Sequence, residues 1–154
     1  MGRFIVGYTG ETTSTAARTV IKLVGTSAKC FEMFETGHFG DGRTAPADIQ
    51  HEISAGFLTN GGVGAGSSAP TPEKMQQSSA VSGITLTITH TTEPTTYTTN
   101  VFTLMSFNQR GGMRWAVPIG MGYMADAGDT NLSLGLRCQS SAAGTIGGNA
   151  YWSE

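Results

Sequence analysis

The chain has 154 residues, a length that suits one domain built around a single hydrophobic core. Charged residues make up 13% of it and the net charge is −2, so there is no basic surface for nucleic acid and we expect no nucleic-acid partner. The 38% of apolar residues, with seven Phe, four Tyr and two Trp, is sufficient for a folded core. No apolar run is long enough to cross a membrane and residues 1–8 do not resemble a signal peptide, so we expect no membrane partner and assembly in a cytoplasm.

Short β-strands are predicted along the whole chain, because apolar and polar residues alternate with a period of two. Two strands are the clearest examples: we expect Leu132, Leu134 and Leu136 to be buried together, with Ile84, Leu86 and Ile88 also facing inward. Residues 101–107 are apolar on both faces, which predicts a central strand. In chain order the predicted strands cover residues 4–8, 19–24, 30–34, 49–57, 84–88, 101–107, 113–117, 132–138 and 150–152.

Turns are predicted where glycine and small polar residues interrupt this alternation. The predicted turns lie at residues 9–10, 40–42, 60–62, 111–112, 126–129 and 147–149. Residues 71–74 predict one helical turn at most, with Thr71 as N-cap and Pro72 following it. Residues 60–82 predict a Gly/Ser-rich loop that is long for a simple connection. The fold class is therefore all-β: a single antiparallel β-sandwich of jelly-roll type spanning residues 1–154.

The three histidines are His38, His51 and His90, and none has a second histidine or a carboxylate at metal-ligand spacing. We therefore expect no metal and no other cofactor. His51 falls on the apolar side of its strand, which is typical of a buried or interface histidine.

Two carboxylate pairs were considered as catalytic groups. Glu32 and Glu35 are three apart, and in a regular strand such residues point to opposite faces. Asp126 and Asp129 lie in a predicted turn. There is no G-x-S-x-G nucleophile motif and no phosphate-binding loop, so no catalytic residue is assigned and we expect a non-enzymatic protein.

Cys30 and Cys138 have no metal or redox spacing. The favoured interpretation is two reduced, buried thiols, and a single disulfide between them is the alternative.

The low charge of the chain indicates a surface that is partly covered by a partner, because the centres of interfaces are poor in Lys, Glu and Asp. The Thr-rich segment 84–99 predicts a neutral, hydrogen-bonding strand face suited to such contact. We expect attachment through this face together with an exposed loop or a terminal arm, and residues 60–82 are the favoured element.

Three segments carry a resemblance to a known family. They are Thr91-Thr92-Glu93-Pro94-Thr95, Phe107-Asn108-Gln109-Arg110 leading to Arg114-Trp115, and Leu134-Gly135-Leu136-Arg137 with the closing Tyr151-Trp152-Ser153-Glu154. With the opening Met-x-Arg-Phe strand and the Gly-rich middle, the chain resembles a family of proteins carried by tailed-phage and prophage genomes. It is richer in Thr and Ser than that pattern, so the resemblance identifies no partner-binding residue.

Members of this family with a role resemble head-decoration, or cement, proteins with a jelly-roll core. The resemblance implies a structural protein that binds the outside of a phage head and stabilises joints between subunits of the major capsid protein. It places the protein on the capsid surface of the virion, after assembly in the host cytoplasm, and favours a homotrimer.

The alternative function is a carbohydrate-binding or host-attachment jelly-roll module of a phage tail. A sugar site needs exposed aromatic side chains beside polar groups. The candidates are Trp115, Trp152, Tyr97, Tyr123 and Tyr151, and we expect both tryptophans to pack in the core.

Overall fold

The computed structural model describes residues 1–26, 29–41, 48–59, 68–90, 92–93, 101–125 and 132–154, with backbone only at Thr59, Phe102 and Leu132. Within these ranges the chain forms strands and turns, and no helix is long and apolar enough to span a membrane. The strands are β1 Arg3–Thr13, β2 Arg18–Val24, β3 Phe31–Gly40, β4 Gln50–Thr59, β5 Glu73–Lys74, β6 Thr85–Ile88, β7 Phe102–Asn108, β8 Gly112–Ala116, β9 Tyr123–Ala125, β10 Leu132–Ser140 and β11 Gly144–Ser153.

The strands form two antiparallel sheets that pack face to face. The first sheet has the order β5-β1-β11-β3-β8, with β9 pairing β3 beside β8, and the second has the order β6-β2-β10-β4-β7. Without the short strands β5, β6 and β9, the orders are β1-β11-β3-β8 and β2-β10-β4-β7. The chain crosses between the sheets at nearly every connection, which is the strand order of a jelly roll. The predicted fold class is therefore confirmed.

The core lies between the sheets and is built from the inward residues of the alternating pattern. Ile84, Leu86, Leu134 and Leu136 are buried there as predicted, and Ile88 is half-buried and packs against the core. The side chain of Leu132 lies outside the described part of the chain. Trp152 is fully buried and stacks on Phe4 of the neighbouring strand β1, with ring centroids 5.9 Å apart.

Two local predictions are wrong because sheet edges decide the structure. Residues 101–107 contribute to β7, which lies at the edge of the second sheet and not at its centre. Glu73 and Lys74 form β5 and not a helical turn: they pair with Ile5 and Phe4, and so bond to backbone groups that the edge of β1 would otherwise leave open. Part of the predicted 60–82 loop is therefore strand, and residues 60–67 lie outside the described residues.

Two predicted turns are also wrong, since their glycines lie inside strands. Gly10, with a φ of 75°, forms a bulge in β1. Residues 147–149 lie in the middle of β11, where Gly148 permits close packing. A Cβ on Gly148 would lie 2.6 Å from the Gly37 carbonyl oxygen and 2.7 Å from Nδ1 of His38, so only glycine fits.

The outward faces of the two sheets differ in exposure. Lys22, Leu58 and Ser133 point away from the core of the second sheet, yet each is at most 1% exposed. Thr87 pairs with Lys22, is also buried, and contacts Nε2 of His90 at 2.9 Å. The prediction of an exposed Thr-rich face is therefore only partly correct. On the first sheet, the outward residues of β8 are exposed.

Candidate functional site

A row of residues crosses the outward face of the first sheet from β1 to β8. Gly7 pairs with Asn149, Asn149 with Gly37, and Gly37 with Arg114. Gly7 and Gly37 have no side chain, so this row is lower than the two rows of side chains that flank it. On one side lies the row that contains Tyr151 and Glu35, and on the other the row that contains Phe39.

This low row is the floor of a depression of about 360 Å³, which we call the trough. The trough is lined by Glu35, Gly37, His38, Phe39, Gly112, Met113, Arg114, Asn149 and Tyr151. The Phe39 ring rests on Gly147, since a Cβ there would lie 2.6 Å from Cε2 of Phe39. The ring of Tyr151 packs against Phe34, with centroids 6.4 Å apart. The trough therefore has an aromatic ring on each side of a backbone floor.

Arg114 and Glu35 form a bidentate ion pair at one end of the trough. Nε and Nη2 of Arg114 donate to Oε1 and Oε2 of Glu35 at 2.6 and 2.8 Å. Hydrogen bonds from Arg114 to Glu35 raise the pKa of the guanidinium. The fork geometry fixes the plane of the guanidinium, and its remaining N–H groups stay available.

Asn149 supplies a fixed amide on the floor of the trough. Its Oδ1 accepts from the backbone N–H of Gly37 at 3.1 Å, and its carbonyl oxygen accepts from Oγ1 of Thr36 at 2.7 Å. The side-chain oxygen is thereby committed, which leaves the NH₂ group of Asn149 to donate to another molecule.

A buried polar chain lies directly beneath the floor. Because the Thr36 hydroxyl donates to Asn149, Nε2 of His38 must donate to Thr36 at 2.9 Å. Nδ1 of His38 then accepts from the Tyr8 hydroxyl at 2.7 Å. Burial lowers the pKa of His38 to about 3, so the imidazole is neutral and its tautomer is fixed by these partners.

A second feature of the first sheet is a group of exposed apolar side chains beside β3. Met113, Ile119, Met121 and Met124, which we call the apolar edge, are between 38% and 73% exposed. β8 and β9 both pair with β3, and residues 117–122 connect them along the same border. Residues 115–125 contain no charged side chain. Ile119, Met121 and Met124 thus lie on an uncharged segment at the border of the sheet, and Met113 lies on the other side of Arg114.

The carboxylate of Glu32 fixes the connection within this segment. Its Oε1 accepts from the backbone N–H groups of Gly120 and Gly122 at 2.6 and 2.7 Å. Glu35 pairs with Tyr151 and Met33 pairs with Trp152, so a bulge lies between them in β3. This bulge makes Glu32 and Glu35 point to the same outward face. The prediction of opposite faces is wrong for this reason, and the two carboxylates serve separate partners.

The other two histidines form hydrogen bonds with residues of the second sheet. His51 is buried, as predicted; its Nδ1 contacts Oγ of Ser140 at 2.7 Å, and its Nε2 has no hydrogen-bond partner among the described residues. His90 donates from Nδ1 to the Thr19 carbonyl at 3.1 Å, and burial lowers its pKa. No group of three or more His, Cys, Asp or Glu side chains capable of holding a metal ion is found in the part of the chain that the structure describes. Asp126 and Asp129 lie outside that part.

Both cysteines are free thiols, so the disulfide alternative is not realised. Cys138 is buried, and burial raises its pKa to about 11. Cys30 is exposed, and the prediction of a buried thiol is wrong there. The strand begins one residue later than predicted, at Phe31, whose side chain takes the inward position.

The aromatic candidates separate into core and surface. Trp152 lies in the core, and Trp115 packs against the core, as predicted for the tryptophans. The ring of Trp115 stacks on that of Tyr123, with centroids 5.2 Å apart. Tyr97 lies outside the described residues, and Tyr151 borders the trough.

Three residues of the family-like segments contact distant parts of the chain. The carboxylate of Glu93 accepts from the N–H and hydroxyl of Thr19 at 2.7 Å, Arg110 pairs with Asp48 at 2.9 Å, and Glu154 accepts from the backbone of the chain before β6.

The sequence did not predict the trough, because residues 147–149 were assigned to a turn. The overlooked signal is the spacing of Ile146, Gly148, Ala150 and Trp152, which continues one inward-facing pattern through the glycines. Comparisons with protein-family models, with curated proteins and with solved structures gave no match for this chain.

Proposed function

We propose that the protein is a structural, non-catalytic cement protein that binds the outside of a tailed-phage head and stabilises joints between major capsid subunits. The observation that carries this proposal is the apolar edge, where Met113, Ile119, Met121 and Met124 are exposed and the last three lie in a segment, residues 115–125, that contains no charged side chain. A group of exposed apolar side chains on a soluble domain marks an interaction surface.

The composition of the edge suits a protein partner. Methionine is enriched in interface cores, where charged residues are depleted. Its unbranched thioether side chain also adapts to irregular surfaces. The backbone beneath is already fixed by Glu32 and by the bond from Val117 N–H to the Phe34 carbonyl at 2.9 Å, so binding requires little ordering of the chain.

The mechanism is linkage. A domain that binds two neighbouring capsid subunits only when they are assembled stabilises the assembled state by mass action. Several weak contacts acting together raise the overall affinity, and a homotrimer around a local three-fold axis provides them. With so little charge, the contact is mainly apolar and depends weakly on salt.

The test compares two exposed methionines on opposite borders of the first sheet. Met121→Glu places an unpaired charge in the apolar edge, and Met75→Glu places the same charge beside β5, at the far border. We expect Met121→Glu to lower occupancy on heads of the phage that encodes the protein by at least about tenfold, because burial of an unpaired charge is costly. Met75→Glu should retain wild-type occupancy. Equal occupancy of the two variants would overturn the role of the apolar edge.

Two further measurements separate the competing arrangements. Many copies per particle on the shell support cement, whereas a few copies at the tail support the host-attachment alternative. Deletion of residues 61–66 tests the predicted loop: unchanged occupancy removes it as the attachment element. A collapse of occupancy between low and moderate salt would contradict a mainly apolar contact.

A further inference from the structure

We propose that the trough on the outward face of the first sheet is a binding site for a neutral sugar ring. The site is separate from the apolar edge, although Met113 borders both. It does not depend on the proposed shell function, because it is complete within one chain and can be tested on the free protein.

The shape of the trough fits a pyranose. A sugar ring has apolar faces formed by C–H groups and an edge formed by hydroxyls, so it needs aromatic surface beside its faces and polar groups beside its edge. Phe39, which is 42% exposed, and the half-buried Tyr151 supply aromatic surface on the two sides. Gly37 leaves room for the side chain of Asn149 to lie flat on the floor, since a Cβ at Gly37 would come within 3.0 Å of Oδ1 of Asn149.

The polar groups of the trough fit hydroxyls, which donate and accept at once. Arg114 uses two of its N–H groups on Glu35, so the guanidinium retains about three donors at fixed positions. Asn149 retains its NH₂ group, and the Glu35 carboxylate retains lone pairs that can accept from a hydroxyl. Because these groups are already held by neighbours, binding does not have to order them.

The charge of the site selects a neutral ligand. Arg114 is the cation of the trough, and the Glu35 carboxylate neutralises it at 2.6 Å. An anionic sugar would have to approach that carboxylate, and a cationic ligand would have to approach the guanidinium. The uncharged side chains Phe39, Asn149 and Tyr151 complete the contact surface.

The experiment uses ¹⁵N-labelled full-length protein titrated with glucose, galactose, mannose, N-acetylglucosamine and glucuronic acid. We expect at least one neutral sugar to shift the backbone amides of Gly37, Arg114 and Asn149, with weaker shifts from glucuronic acid. Arg114→Ala should weaken that binding at least about tenfold, the effect of losing a hot-spot arginine. Arg110→Ala is the matched control, since Arg110 also pairs with a carboxylate in an exposed position, but outside the trough.

Tyr151→Ala should weaken binding as well, and Tyr151→Phe should retain it, because the aromatic face and not the hydroxyl forms the platform. The proposal is overturned if none of the four neutral sugars shifts these amides, if the shifts map outside the trough, if glucuronic acid binds as well as they do, or if Arg114→Ala and Arg110→Ala behave alike. None of these outcomes bears on occupancy at the phage head, so the two proposals fail independently.

Discussion

The outward faces of the two sheets have the same alternating pattern, but residues at comparable outward positions differ in exposure. On the second sheet, Leu58 and Lys22 point away from the core and are nevertheless buried. On the first sheet, Arg114 and Phe39 point outward and are exposed, and glycines line the floor between them. Alternation therefore identifies which residues share a face, whereas it does not indicate whether that face is covered by other parts of the protein.

The largest expected effect tests this difference directly. Leu58→Ala should destabilise the protein by about 2–5 kcal/mol, as expected for a fully buried leucine even though it lies outside the inter-sheet core. Leu134→Ala, in the core, should fall in the same range. Ile5→Ala, half-buried on the outward face of the first sheet, should cost less than about 1 kcal/mol.

Equilibrium urea unfolding measures all three variants. If Leu58→Ala changes the free energy of unfolding by less than about 0.5 kcal/mol, the outward face of the second sheet is open and the comparison fails.

The prediction of intermediate size concerns the loss of folding stability at acid pH. It tests whether water reaches the imidazole of His38 below the floor of the trough. His38 has a folded-state pKa of about 3, whereas an unfolded histidine titrates near 6.5. Between these values the unfolded state binds the proton and the folded state does not. This contribution to stability is therefore complete above pH 6.5 and is lost as the pH falls toward 3, at up to about 1.4 kcal/mol per pH unit.

Urea unfolding at a series of pH values measures that slope. The slope of the unfolding free energy against pH reports how many protons the chain takes up on unfolding. His38→Gln should lower that number by about one. The contributions of His51 and His90, whose pKa values burial also lowers, should remain. An unchanged slope in His38→Gln would mean that water reaches the imidazole through the floor of the trough.

The smallest effect compares two glycines that are neighbours across β1 and β11. A Cβ on Gly7 would meet only the Gly148 carbonyl oxygen, at an ordinary 3.7 Å, so Gly7→Ala should stabilise the protein by about 0.5–1 kcal/mol. Gly148→Ala should destabilise it by about 1–3 kcal/mol, because the backbone oxygen at 2.6 Å cannot move away. Thermal unfolding distinguishes the two directions. A loss of stability in Gly7→Ala would show that the outward row is more crowded than described.

The sequence was sufficient to predict the jelly-roll sandwich and its core, because side chains such as Leu86 and Leu134 repeat with period two and report burial directly. It was misleading where glycine was involved. The sequence predicts turns at Gly10 and Gly148, whereas in the structure Gly10 permits a bulge and Gly148 permits close packing inside a strand. Glycine has the same local signature in all three settings, and only the neighbouring strands decide among them.

The candidate sites were beyond sequence reasoning for a related reason. Tyr151 was identified as an aromatic candidate, but its partners Arg114, Asn149 and Glu35 come from three different strands. Their proximity depends on sheet order and on the bulge beside Phe34, which the alternating pattern does not encode. The apolar edge depends in the same way on β8 and β9 sharing one neighbour.

The pairing of β1 with β11 has a consequence for how the chain folds as it is synthesised. These strands lie side by side in the interior of the first sheet, and the backbone groups of Gly2 and Glu154 bond reciprocally at 2.8 and 3.1 Å. A nascent chain leaving the ribosome therefore carries β1 without its partner until β11 emerges. Because contacts so distant in sequence close slowly, we expect folding to be slow for a domain of this size. During that interval the apolar residues of β1, Phe4 and Val6 among them, are available to chaperones.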